Sequence, residues 1–135
     1  MESQRLLEII RQWLIKADHD LEIVEREMRF SDEPLTDILC FHCQQAVEKY
    51  LKTYLIFKLV KPSKTHDIAE LIEECRKLDP DFEKLSDLSY MTEYAVQLRY
   101  PDDFYQPELA EMNKAFSDAL KAKRFVLEKI NVKMR

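Results

Sequence analysis

The chain has 135 residues, 46% hydrophobic and 35% charged, with a formal net charge of −5. That is the size of one domain with enough apolar material for a core, and the acidic balance excludes a generally basic, nucleic-acid-coating surface while leaving room for a local basic pocket. Glycine is absent, which argues against β-rich or loop-rich folds and for helices joined by connections that do without left-handed turns.

Prolines at 34, 62, 80, 101 and 107 divide the chain, each falling between apolar-periodic stretches where a missing N–H and a fixed φ do least harm. The first helix is expected from about Ser3 to Arg29, with Leu6, Ile10, Trp13, Ala17, Leu21, Val24 and Met28 on one face. Ser31-Asp32-Glu33-Pro34 stops it. A second helix runs from about Leu35 to Val60, its stripe of Leu39, Cys43, Ala46, Tyr50, Tyr54 and Phe57 widened by Val47 and Leu51. So wide a stripe marks a central helix with neighbours on more than one side. After the Lys61-Pro62-Ser63-Lys64 turn comes a short third helix, with Thr65 or Asp67 as N-cap and Ile68, Leu71, Ile72, Cys75 and Leu78 inward. Asp79-Pro80 reads as N-cap and first residue of a fourth helix, with Phe82, Leu85, Leu88, Ala95 and Leu98 inward, broken at Tyr100-Pro101-Asp102-Asp103. The fifth helix starts near Pro107 and turns Leu109, Met112, Phe116, Ala119, Leu120, Val126, Leu127 and Ile130 to the core. Short connections make consecutive helices antiparallel neighbours. The expected fold is all-α, a five-helix up-and-down bundle of three long and two shorter helices.

No apolar run is long enough to span a bilayer, and the N-terminal residues lack a signal-peptide layout. With three cysteines, an odd number, the expectation is reduced thiols and a cytoplasmic protein. Cys40 and Cys43 form a C-x-x-C around His42, but zinc needs about four ligands and the one other cysteine is Cys75. The thiols are read as small packing residues, and neither metal nor cofactor is expected. A Gly-rich phosphate loop, an H-E-x-x-H and a serine elbow are all missing.

The polar pattern of the second helix carries most information. At about 100° per residue, His42, Gln45, Lys49 and Lys52 fall within an arc of about 80°, with Glu48 at its edge. The ridge is either a solvated stripe or a phosphate-contacting wall, with the lysines supplying charge and His42 and Gln45 hydrogen bonds. Arg99 ends the fourth helix, where it either complements the helix dipole or reaches phosphate in a cleft. His66 lies beside a helix N-terminus, in a capping role or at an anion site. His19, between Asp18 and Asp20, is expected at the surface.

Ala17-x-x-Asp20-Leu21, Phe41-His42-Cys43-Gln44-Gln45-Ala46-Val47-Glu48-Lys49-x-x-Lys52, Thr65-His66-Asp67-Ile68 and Arg99-Tyr100-Pro101-Asp102 occur in this order. Together they resemble a HEPN domain, the higher-eukaryote and prokaryote nucleotide-binding family, in its stand-alone prokaryotic form. The resemblance covers nearly the whole chain and is most specific in the second helix. It implies a mainly up-and-down helical bundle that pairs as a homodimer with a cleft between subunits. It also implies a separate minimal nucleotidyltransferase as partner, in a toxin–antitoxin pair. By this resemblance Asp20, Gln45, Lys49, His66 and Arg99 line a nucleotide- or RNA-binding cleft, with Tyr100 at its rim, and Asp20 orients Arg99 or a ribose hydroxyl. Many members are metal-independent ribonucleases with an arginine followed, after four to six residues, by a histidine. Arg99 matches that arginine, whereas Phe104, Tyr105 and Gln106 occupy the places for the histidine. Tyrosine titrates near pH 10, so Tyr105 is a poor general base at neutral pH. The family's modifiable tyrosine, two residues beyond the histidine, is replaced by Gln106 or Pro107. The readings to be compared are therefore a binding module, a ribonuclease toxin using Arg99, and a non-catalytic interaction adaptor.

Overall fold

The computed structural model describes residues 2–97 and 105–134, and the side chains of residues 3–96 and 105–130. The helices are α1 (Glu2–Phe30), α2 (Thr36–Phe57), α3 (Ile68–Leu78), a 3₁₀ segment (Pro80–Met91) that continues into α4 (Thr92–Gln97), and α5 (Leu109–Met134). With the 3₁₀ segment and α4 taken as one helical unit, five helices form the all-α fold, and there is no strand among the described residues.

Helix α2 is central, packed against α1, α3, α4 and α5. Leu39, Cys43, Ala46, Val47, Tyr50, Leu51, Tyr54 and Leu55 are all buried, so its apolar surface wraps most of the helix. The α1 face of Ile10, Ala17, Leu21 and Val24 is buried against it. From α5, Met112, Ala115, Ala119, Ala122, Val126 and Ile130 complete the core at spacings of three and four. The expected inward residues Leu78 and Leu109 are instead exposed, because each lies at a helix end beyond its neighbour's reach.

Two termini form as their residue types dictate. Asp67 caps α3, its Oδ1 accepting from the Glu70 amide at 3.3 Å. Asp79 caps the 3₁₀ segment, accepting from the Asp81 amide at 3.0 Å with Pro80 following. Lys129 of α5 closes on both carboxylates, 2.8 Å from Asp79 and 2.7 Å from Asp81.

Three expectations are corrected. Residues 80–91 wind as a 3₁₀ rather than an α-helix. Phe82, Leu85, Leu88 and Met91 recur every three residues and all are fully buried, so a helix of three residues per turn aligns them on one ridge. Phe82 lies 4.4 Å from Tyr54 and 4.9 Å from Phe125 between ring centroids, wedging the segment between α2 and α5. Second, α2 ends at Phe57, and Leu59 adopts the left-handed conformation with φ of 62°. The Leu59 amide donates to Ile56 and the Val60 amide to Leu55, both at 2.9 Å, the paired bonds that close a helix through a left-handed residue. Lack of glycine moves the left-handed turn onto leucine; it does not remove it. Third, α3 does not alternate in direction with α2. The connection 58–67 runs back along α2 and brings the His66 carbonyl to Gln44, while Cys75 further along reaches the Leu51 carbonyl. The two helices consequently run the same way, because ten intervening residues are ample to cover the return.

Candidate functional site

Asp20 on α1 is a buried carboxylate where α1 packs on α2. Its Oδ2 accepts from Lys49 Nζ at 2.6 Å and its Oδ1 from His42 Nδ1 at 2.8 Å, both on α2. His42 and Lys49 are two turns apart on one helix face, so a single carboxylate can hold both. Each keeps about a quarter of its side chain exposed, 24% for His42 and 26% for Lys49. With Nδ1 fixed on the carboxylate, the ring's other nitrogen, Nε2, is turned away from it. Lys49 uses one of its three N–H donors on Asp20.

A second carboxylate organises the rest of the ridge. Glu48 accepts from Lys52 Nζ at 3.1 Å, from His66 Nδ1 at 2.8 Å and from Gln44 Nε2 at 3.3 Å. Gln44 also donates to the His66 carbonyl at 3.0 Å and accepts from Gln45 Nε2 at 2.7 Å. This cluster fastens the returning 58–67 connection to α2. Glu48, at the edge of the arc, is the acceptor on which this cluster converges, and the Lys52 side chain is only 10% exposed with its charge balanced inside the fold. The ridge expected to present a row of donors is divided between two acceptors.

The structure thus brings Asp20, His42 and Lys49 into direct contact and joins Gln45, Lys52 and His66 through Gln44 and Glu48. At the α3 N-terminus the Ile68 amide donates to Thr92 Oγ1 at 2.9 Å and the Glu70 amide to Asp67, so these donors are already satisfied. Arg99 and Tyr100, with Leu98 and the break at residues 100–103, lie outside the described residues, as does Phe104. His19 is exposed as expected, although its flanking aspartates turn inward, Asp20 buried and Asp18 half-buried.

Sequence reasoning missed a groove of about 340 Å³ lined by Gln12, Trp13 and Lys16 of α1 together with Lys49 of α2. Its spacing puts Trp13 in the core stripe, whereas the ring is half-buried at that stripe's edge. The available signal was a large amphipathic ring three residues from a lysine on the same helix face. A further unread tie joins three helices: Tyr50 donates to Asp18 at 2.5 Å, and Lys123 of α5 lies 3.1 Å from the same carboxylate.

The cysteines are free and buried. Burial raises the Cys40 thiol to about 12 and raises those of Cys43 and Cys75 as well, so none is a nucleophile at neutral pH. Tyr50, Tyr90 and Tyr94 are pushed up by burial and then by hydrogen bonds to Asp18, Asp118 and Glu111. Tyr105 is raised chiefly by its hydrogen bond to Glu111, which leaves even less of it ionised and able to take a proton at neutral pH. Among the described residues no group of three or more His, Cys, Asp or Glu side chains is arranged to hold a metal ion. No helix among them is long and apolar enough to cross a membrane.

A family model described as HEPN domain matches residues 10–131. Among solved structures, the crystal structure of ST0689, an archaeal HEPN homologue, superposes with a TM-score of 0.68 at 20% identity, over 90% of this chain and 97% of that one. At that identity the likeness concerns the fold. No curated protein matches the chain.

Proposed function

The chain belongs to the HEPN domain family, and on that premise we propose that it is a nucleotide- or RNA-binding module. The observation that carries the reading is the Asp20–His42–Lys49 cluster, a partly exposed cation and imidazole held in place by one buried carboxylate. A buried acid fixing two donors at a helix–helix edge supplies preorganised phosphate contacts without the cost of ordering long side chains on binding. Lys49 offers charge, His42 and Gln45 offer hydrogen bonds, and Arg99 adds a planar fork suited to phosphate. Lys52 and His66 act through Glu48, shaping the wall. Tyr100 belongs to the rim in this reading. No metal or cofactor enters it.

The module works as a homodimer with a separate minimal nucleotidyltransferase, in a toxin–antitoxin arrangement in the cytoplasm. Support for self-association comes from exposed apolar side chains where α1 ends and α2 begins, Ile23, Phe30, Leu35 and Ile38. Sedimentation of the full chain reads the dimer directly, and co-expression with the neighbouring reading frame reads the partner. For ligand binding, the test is a thermal-shift series with ATP, other nucleotides and short RNAs. A rise in Tm that is lost in Lys49→Ala supports the proposal. Failure of every nucleotide and RNA to raise Tm refutes it.

The Asp20–His42 pair favours a second reading, a metal-independent ribonuclease. A carboxylate on Nδ1 orients an imidazole so that Nε2 is positioned to take a proton from a ribose 2′-hydroxyl. Arg99 would then stabilise charge on the adjacent phosphate. This reading expects RNA cleavage that survives chelators and is lost in both His42→Ala and Arg99→Ala. Intact RNA after long incubation removes it.

A further inference from the structure

We propose that the α1–α2 groove formed by Gln12, Trp13, Lys16 and Lys49 is a subsite for one nucleotide unit, its base against Trp13 and its phosphate between Lys16 and Lys49. The proposal rests on the nucleotide-binding reading above and locates the ligand within it.

Charge pairing along α1 leaves Lys16, like Arg5 and Arg11, outside any ion pair among the described residues. Arg26 and Arg29 on the same helix each pair with a glutamate one turn earlier, Glu22 at 2.5 Å and Glu25 at 2.8 Å. Lys16 has a glutamine, Gln12, in that position, and Gln12 donates to Glu8 instead. One turn later stands Asp20, whose two oxygens are taken by His42 and Lys49. Lys16 has no carboxylate within ion-pair distance among the described residues. In a chain with 26 acidic and 21 basic side chains, an unpaired lysine beside a second, partly exposed lysine makes a local positive spot that the overall charge hides.

The other walls choose among anions. Trp13 is the one tryptophan of the chain and lines the groove half-buried. An indole at a half-open edge offers a flat π surface on which any base can stack. The Gln12 amide carries both donor and acceptor, as the edge of a base requires. Inorganic phosphate would use the lysines and leave the indole idle, whereas an aromatic hydrocarbon would leave the lysines idle. A base joined to a phosphate uses all four side chains. The volume of about 340 Å³ lies near the lower end for small-ligand pockets, which fits a single nucleotide unit and not a dinucleotide. The unit is either a free 5′-nucleotide or one residue of an RNA strand.

Because the chain has a single tryptophan, its fluorescence reports on this groove alone. AMP, adenosine and an adenine pentaribonucleotide are titrated into the full-length protein, with emission corrected against free tryptophan amide and binding measured in parallel by calorimetry. Saturable quenching by AMP or by the oligomer, with adenosine at least tenfold weaker, is the expected result. Quenching by AMP identifies a free nucleotide as ligand, and quenching by the oligomer alone identifies RNA. Lys16→Glu, at an exposed position outside any ion pair among the described residues, is expected to weaken binding at least tenfold while leaving Tm unchanged. Calorimetric binding with unchanged Trp13 emission, or undiminished binding by Lys16→Glu, overturns the groove and leaves the nucleotide-binding reading standing. Absence of any calorimetric binding overturns both.

Discussion

Glu48→Gln is the sharpest test of how the α2 ridge is built. The substitution keeps size and shape but removes the charge that balances Lys52, whose side chain is only 10% exposed beside a Glu48 side chain that is 7% exposed. Removing one partner of a buried pair costs about 3–5 kcal/mol, because the remaining ion is left without compensation. The glutamine oxygen still accepts one hydrogen bond, from Gln44, His66 or Lys52, so the lower end applies, about 3 kcal/mol. For a chain of 135 residues, at about 2.1 cal/mol/K of unfolding entropy per residue, that lowers Tm by about 10 °C. Scanning calorimetry of the wild type, Glu48→Gln, Lys52→Met and the double variant checks the figure and its origin. The double variant no longer strands a charge, so it should recover most of the loss, with a coupling of about 1–3 kcal/mol. A Tm within about 2 °C of wild type for Glu48→Gln, or strictly additive variants, refutes the reasoning.

Other outcomes follow from the same structure. Leu59 is 80% exposed in a left-handed conformation that costs a leucine about 1 kcal/mol or more, so Leu59→Gly should raise Tm by about 3 °C, read by calorimetry. Leu85→Ala empties a fully buried site on the 3₁₀ ridge and should cost about 2–5 kcal/mol in denaturant unfolding, against less than about 0.5 kcal/mol for the exposed neighbour Lys84→Ala. In the unfolded chain Cys40 ionises at its ordinary value of 9.0, whereas in the fold it stays protonated to about 12. Stability from keeping it neutral is therefore complete below pH 9 and is lost as pH rises between those values, a trend that Cys43 and Cys75 reinforce. Tm measured from pH 7 to 11 should fall steadily above pH 9, and a thiol reagent at neutral pH should label the cysteines only after unfolding.

The long helices were legible because apolar spacing of three and four is a direct image of a helix face, and Ile10, Ala17, Leu21 and Val24 all sit where that spacing puts them. Asp67 and Asp79-Pro80 were legible because capping depends on local residue type. The 3₁₀ segment was written in the strict threefold spacing of Phe82, Leu85, Leu88 and Met91, but a spacing of three also fits an α-helix. Only packing against Tyr54 and Phe125 selects the tighter winding. Leu59 was hidden by an argument from composition, since the geometry that closes α2 is demanded whether or not glycine is there to supply it. At the site, the donors His42, Gln45, Lys49 and Lys52 were visible as one helix face. What they bond to was not, since helical periodicity says which residues share a face and nothing about which carboxylate of another helix comes to meet them. Asp20 arrives from 29 residues before Lys49. Trp13 and Lys16 went unread for the same reason, because a groove belongs to two helices at once.

The claim on which the functional account depends is that Lys49 and Arg99 hold the same phosphate. Calorimetric titration of a short RNA and of AMP into the wild type, Lys49→Ala, Arg99→Ala and the double variant measures this directly. The account predicts that each single variant weakens binding of one of these ligands at least tenfold and that the double variant loses less than the product of the two. Undiminished binding in either single variant, or no binding by the wild type, contradicts it.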